Sequence, residues 1–190
     1  MRKIFIDCGA NNGCSVLKFR NERDRSNEYE YHCFEANDAF LEDIRKTGAT
    51  CYHKAVWVEN KKVTFYIVVV DKYGKQGRGT TGASTLNEEK NKRNLKIHKK
   101  VEAVTVDGID ISIWIRDNFS KDDHIVLKMD IEGSEYEVLE KMIEDNTFEM
   151  IDELLVEFHW KKCEISERRH NALYNKLLSY NIPISEWDAL

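Results

Sequence analysis

No apolar run in this chain approaches the roughly 18 residues needed to cross a membrane, and the first extended segment begins at Lys3, leaving no room for a signal peptide. Both absences lead to the expectation of a cytoplasmic, intracellular protein. Disulfides are not expected either. The cysteines, Cys8, Cys14, Cys33, Cys51 and Cys163, are odd in number, lie mostly in apolar runs and form no C-x-x-C pair, which reads as reduced thiols and excludes structural zinc. Positive charge is not in excess. The net charge of -5 argues against a general nucleic-acid binder. Pro183 is the single proline, and no repeat or low-complexity segment interrupts the chain. What is there suits a single domain over residues 1–190: 42% hydrophobic and 33% charged residues, in a chain long enough to bury about 70% of its unfolded surface.

Two missing motifs narrow the ligand. Ile4-Phe5-Ile6-Asp7-Cys8-Gly9-Ala10-Asn11-Asn12-Gly13 is an apolar strand ending in an acid, followed by a glycine-containing turn, and a second apolar run closes on Glu35. A doubly wound sheet holds an adenosine cofactor in this way. The middle glycine of a dinucleotide loop, which lets backbone approach a pyrophosphate, is replaced by Ala10. No stretch supplies G-x-x-x-x-G-K-[ST]. What remains suits a phosphate-free ligand with a cationic end: Gly9 and Gly13 allow backbone close, Asp7 offers a carboxylate to an ammonium and sulfonium, and Glu35 is placed to take both ribose hydroxyls. S-adenosylmethionine fits that description.

Periodicity predicts strands over Lys3–Asp7, Tyr29–Glu35, Thr50–Val58, Lys62–Val70, Val101–Val106, His124–Asp130 and Met150–Phe158. Helices are expected from Gly13 to about Arg23, over Asp38–Lys46 behind an Asn37 cap, from Asp107, over Ser134–Asn146 and over Ser166–Ser179. Pro183 precedes a short tail that can add one edge strand. Strands alternate with helices, so the fold is α/β with a mainly parallel, doubly wound sheet. Residues 71–100 break the rhythm. Gly74, Gly77, Gly79 and Gly82 loosen a long loop, read as an insertion near the site mouth. A charged segment follows in which Lys90, Lys92, Arg93, Lys96, Lys99 and Lys100 read as a solvated helix face.

Ligands of open α/β sheets bind outside the carboxyl ends of the strands. The predicted strand ends carry Asp7, Glu35, Asp130 and the pair Glu157 and His159, and clustered carboxylates of this kind are costly without a ligand or metal. Gly133 permits a tight turn that brings Asp130 and Glu132 together, while Glu135, in the first helical turn, reads as complementing the helix dipole. Methyl transfer to an alcohol needs the acceptor held in line and its proton removed. His159, Asp130 and Glu132 are the candidate catalytic residues. Asp130, Glu157 and His159 also match an oxygen-rich site for magnesium or manganese.

With these residues in hand, the chain resembles the FkbM family of S-adenosylmethionine-dependent methyltransferases from Ile4 to about Trp160. Phe5 to Gly13 is similar to the family's first motif, and Phe34-Glu35-Ala36-Asn37 to its F-E-P-N segment. More specific are Lys128-Met129-Asp130-Ile131-Glu132-Gly133-Ser134-Glu135 with Val138-Leu139, which looks like K-x-D-x-E-G-x-E-x-x-V-L, and Glu157-Phe158-His159, which looks like E-x-H. The resemblance implies a Rossmann-like class I methyltransferase fold with helices on both faces, and O-methylation of a hydroxyl on a sugar residue of a glycan or glycoconjugate. It implies that Asp7, Gly9, Ala10, Asn11 and Gly13 line the methionine and ribose portions of the cofactor. Glu35, Ala36 and Asn37 would take the ribose and adenine side, and Lys54, Ala55 and Val56 the adenine. Gly82-Ala83-Ser84-Thr85-Leu86 looks like a segment that folds over the acceptor. The chain departs from the family in its short tail, which hardly leaves room for the usual closing hairpin, so that part of the acceptor pocket is either absent or supplied by a second subunit of a homodimer. Two other readings compete: methylation of an RNA ribose hydroxyl, motivated by Lys90 to Lys100, and a nucleotide-binding domain without catalysis.

Overall fold

The computed structural model describes residues 1–77 and 83–187. Its main sheet has six strands, β1 (Lys3–Cys8), β2 (Tyr29–Glu35), β3 (Thr50–His53), β7 (His124–Met129), β8 (Glu153–Val156) and β9 (Ile184–Ser185), in the order β3-β2-β1-β7-β8-β9. Every pairing in it is parallel. The central strands β1 and β7 are buried on both faces, which is why Ile4 to Ile6 and Ile125 to Leu127 read as unbroken apolar runs. Alternate side chains serve opposite faces. Ile4, Ile6, Ile125 and Leu127 pack with Ile111 and Ile115 of α4 (Ile111–Asn118), Tyr136 and Leu139 of α5 (Glu135–Glu144) and Leu173 and Leu177 of α6 (Glu167–Leu178). Phe5 and Val126 face the other way, onto Val16 and Phe19 of α1 (Cys14–Arg23) and Ile44 of α2 (Leu41–Lys46). The helix after β1 and the helix after β7 thus cover opposite faces. A crevice opens between the carboxyl ends of these two strands, where ligands of such sheets bind.

A smaller sheet stands beside the first. It contains β4 (Ala55–Trp57), β6 (Lys100–Asp110) and β5 (Lys62–Val70) in the order β4-β6-β5, with β5 and β6 antiparallel and β4 and β6 parallel. The expected strand over Thr50–Val58 is therefore two strands in two sheets. The break falls at Lys54, whose N–H turns back to the carbonyls of Glu35 and Tyr52. The helix expected from Asp107 starts later, because β6 runs on to Asp110, whose side chain caps α4 by accepting from the Ile113 N–H. Gly108 is accommodated within that strand because a side chain there would crowd the Lys61 carbonyl. A 3-10 turn over Thr147–Met150 shortens the strand expected from Met150, which begins at Glu153. The tail contributes β9 as a parallel edge strand on β8. The segment linking β5 to β6 contains α3 (Glu88–Ile97), capped by Asn87; Gly79 and Gly82 lie outside the described residues. Among the described residues no helix is long and apolar enough to cross a membrane.

Candidate active site

The loop after β1 is tied to the end of β2. The N–H groups of Gly9 and Ala10 both donate to the Phe34 carbonyl, at 3.0 and 3.1 Å. Gly9 adopts φ 82°, and a Cβ on it would overlap the Asp130 carbonyl oxygen. A glycine here is thus a condition for β1 and β7 to end side by side. Gly9→Ala is expected to cost at least about 1–3 kcal/mol, the usual penalty of overpacking, read as a fall in the midpoint of a urea melt; a wild-type midpoint would contradict this placement.

Glu35, at the tip of β2, is buried. One carboxylate oxygen accepts the Asn11 N–H at 2.8 Å and the other the Asn37 N–H at 2.7 Å. Burial raises its pKa, against the pull of those two donors. Each oxygen keeps a lone pair for a hydroxyl. A cavity of about 290 Å³ begins at this carboxylate, at the lower end of the roughly 300–1,000 Å³ of small-molecule sites. Gly9, Ala10, Asn11, Ala36, Asn37, Lys54, Ala55 and Val56 line it, and so do Asp130, Glu132 and Glu157. Most of the expected cofactor residues therefore share one space with Asp130 and Glu132, whereas His159, the third expected catalytic residue, does not line it and touches it only through the carboxylates around its Nε2.

Two expected cofactor residues do not line that cavity. Gly13 closes the turn behind it, with φ 80° at the start of α1. Asp7 is fully buried and beside Lys128, its in-register neighbour on β7, whose ammonium lies 2.9 Å from the Asp7 carboxylate. The same ammonium donates to the Gly9 carbonyl at 2.7 Å and stands 3.8 Å from Asp130. Burial works against its charge, but Asp7 and Asp130 outweigh that and raise its pKa above the ordinary lysine value. The cation facing Asp7 in this structure is thus a lysine of the protein. A lysine in an otherwise apolar central strand was the available signal, since a buried charge demands a partner.

At the tips of β7 and β8 the polar groups converge. His159 is 2% exposed. Its Nδ1 is 3.0 Å from Glu135 Oε1, while its Nε2 lies 3.2 Å from Glu157, 3.3 Å from Glu132 and 3.8 Å from Asp130. Glu135 does more than complement a helix dipole. Wholly buried, it accepts the N–H groups of Ile131 and Gly133 and so holds the turn that carries Asp130 and Glu132. A carboxylate beside Nδ1 suits an Nδ1–H donor, the tautomer that turns the Nε2 lone pair toward the acids. Asp130 Oδ1 and His159 Nε2 are buried without a hydrogen-bond partner among the described residues. Burial, with the nearby Glu157 and Glu135 charges, raises the Asp130 pKa against the opposing pull of Lys128 and His159. Of the expected metal set, Asp130 and His159 have ligand atoms within 4.8 Å of one another and of Glu135; Glu157, the expected third member, lies 3.2 Å from His159 Nε2 but outside that group.

The segment after β5 also reaches this place. Ala83, Ser84 and Leu86 line the cavity, whereas Gly82 lies outside the described residues. Lys90 is not on a solvated helix face. It is 3% exposed, and its ammonium pairs with Glu132. Burial pulls its pKa down to about 8, so the cationic form still prevails at neutral pH. Charge counting along α3 could not separate Lys90 from its solvated neighbours.

A parallel sheet with a switch-point crevice, a carboxylate at the tip of the second strand and no phosphate-binding loop defines a Rossmann-like fold of the methyltransferase type. Residues 7–181 match the methyltransferase FkbM domain, and the chain belongs to the FkbM methyltransferase family. The crystal structure of methyltransferase FkbM from Methylobacillus flagellatus KT superposes with a TM-score of 0.53 at 14% identity, over 94% of this chain. This chain spans 37% of that one. No curated protein matches the chain significantly.

Proposed function

We propose that this chain is a single-domain S-adenosylmethionine-dependent O-methyltransferase whose acceptor is a hydroxyl of a sugar residue in a glycan or glycoconjugate. The observation that carries the reading is that Glu35 lines one cavity together with Asp130, Glu132 and Glu157. S-adenosylmethionine, when bound, supplies an electrophilic methyl group on a sulfonium. Glu35 is suited to take the ribose hydroxyls, because the Asn11 and Asn37 N–H groups hold its carboxylate in one orientation. His159 Nε2 accepts the proton of the acceptor hydroxyl as attack proceeds. Glu135 fixes the tautomer and stabilises the imidazolium that results. Asp130 and Glu132, oxygen acceptors at the mouth, orient neighbouring hydroxyls of the sugar. The unpartnered Asp130 Oδ1 and His159 Nε2, with the carboxylates beside them, also fit a divalent ion such as magnesium or manganese. Asp130, Glu157 and His159, joined by Glu132, would hold it, and with the Nε2 lone pair then given to the ion, the ion in place of the imidazole would acidify the acceptor hydroxyl.

Calorimetry with S-adenosylmethionine, compared with NAD, tests the cofactor, and transfer of a labelled methyl group to a panel of sugars tests the acceptor. Glu35→Ala is expected to weaken S-adenosylmethionine binding at least tenfold, because it removes the hydroxyl acceptors and leaves the Asn11 and Asn37 N–H groups unpaired. A dissociation constant within twofold of wild type would place the cofactor elsewhere.

A further inference from the structure

Three contacts join the β5 to β6 connection to the acid cluster, and all land on one turn. Thr85 Oγ1 donates to the Glu132 carbonyl at 2.7 Å. A Cβ on Gly133 would crowd the side chain of Asn87 and overlap Cys163 Sγ, so the start of α3 packs directly on that backbone. Lys90, in the first turn of α3, sets its ammonium on the Glu132 carboxylate. Glu132 itself holds φ 57°, a left-handed conformation that costs a non-glycine residue on the order of 1–3 kcal/mol and persists where its surroundings impose it. Its carboxylate also faces His159 Nε2, at 3.3 Å, a deeply buried nitrogen without a hydrogen-bond partner among the described residues. Glu132 is thus shared between a cation on α3 and the donors at the tips of β7 and β8.

We propose that Lys90 is the resident cation on Glu132 and competes with a divalent metal ion for that carboxylate, so that metal loading releases the start of α3 from the catalytic turn. The inference rests on the metal reading given above. Asp130, Glu132 and Glu157 gather three carboxylates round one imidazole; Lys128 stands 3.8 Å from Asp130 and Lys162 3.3 Å from Glu157, and Glu132, the least exposed of the three, needs a counter-ion of its own. Lys90 supplies one from within. A divalent ion coordinated by Asp130, Glu157 and His159 takes the same Glu132 oxygen, and that atom cannot serve both. Such competition is reciprocal: docking of α3 weakens the metal by the factor by which the metal weakens docking. Because Ala83, Ser84 and Leu86 line the cavity just ahead of α3, its release widens the acceptor side and leaves the Glu35 end untouched.

Manganese(II) alone is the probe, titrated into the full chain and followed by calorimetry and electron paramagnetic resonance. Lys90→Met is expected to bind manganese at least tenfold more tightly than wild type. In a Glu132→Gln background the same change is expected to alter affinity less than twofold, since the competition acts through that carboxylate. Hydrogen exchange on the unsubstituted protein needs no variant to fold: amides of residues 88–97 are expected to exchange faster with manganese than without. Equal affinity of wild type and Lys90→Met, an undiminished gain in the Glu132→Gln background, or unchanged or slower exchange in α3 would each overturn the competition and leave the metal reading standing. Failure of both wild type and Lys90→Met to bind manganese would overturn the two together.

Discussion

His159→Ala is expected to cut methyl transfer about 10²–10⁴-fold, the usual contribution of a positioned general base, while the affinity for S-adenosylhomocysteine stays within twofold of wild type. The split follows from where the side chain stands. His159 does not line the cavity; its Nε2 faces Asp130, Glu132 and Glu157, which do, and its Nδ1 is held by Glu135. Asp130→Asn is expected to give the same pattern, since it keeps the shape of the turn and removes one charge from the cluster. Turnover is measured with the best acceptor of the sugar panel, and affinity by calorimetry, which also reports whether each variant folds. Wild-type turnover in either variant would remove that residue from the mechanism. Equal losses of turnover and cofactor affinity would mean that the two ends of the cavity are not separate in function.

Lys128→Met carries the largest expected effect on stability. The substitution keeps an apolar stem of similar length and leaves Asp7, fully buried, facing no cation across the β1 and β7 register. Breaking a buried pair by removing one partner costs about 3–5 kcal/mol, because an uncompensated charge remains. In a chain of this size that corresponds to a fall in Tm of roughly 6–20 °C. Asp7→Asn added to Lys128→Met is expected to recover more than half of the loss, since it removes the stranded charge. A single variant within about 1 kcal/mol of wild type would show that the pair contributes little to folding. Cofactor binding is expected to suffer too, through the hydrogen bond from Lys128 to the Gly9 carbonyl.

Strands that hydrophobicity alone dictates were legible from the sequence almost to the residue. β2 and β5 have the expected ends, and β1 runs one residue further, because buried parallel strands and β-branched runs leave little alternative. Boundaries set by tertiary contacts were not. The kink at Lys54 that parts β3 from β4, and the run of β6 through Gly108 to Asp110, follow from which sheet each segment joins, and side-chain periodicity does not encode that. Asp130, Glu132, Glu157 and His159 could be picked out because ionisable groups at strand tips are rare by chance. Their partners were harder to see. Glu135 looked like a helix-end charge and Lys90 like one of many solvated lysines, and only the fold shows that both point inward. Lys128 was visible inside its motif, yet its role depends on a neighbour that lies far away in sequence.

The two sheets divide the molecule's labour in a way that bears on how such chains diversify. Gly9 to Asn11 and Glu35 to Asn37 hang from β1 and β2, while Ala83 to Leu86 and α3 hang from the antiparallel ladder of β5 and β6. Exchanging the piece strung between β5 and β6 for one of different length or composition is expected to leave the parallel sheet intact while changing part of the cavity wall. Lys90 sets the limit on such grafts: a transplant lacking a lysine at that depth leaves Glu132 stranded, and its host must find another cation or give up the acid.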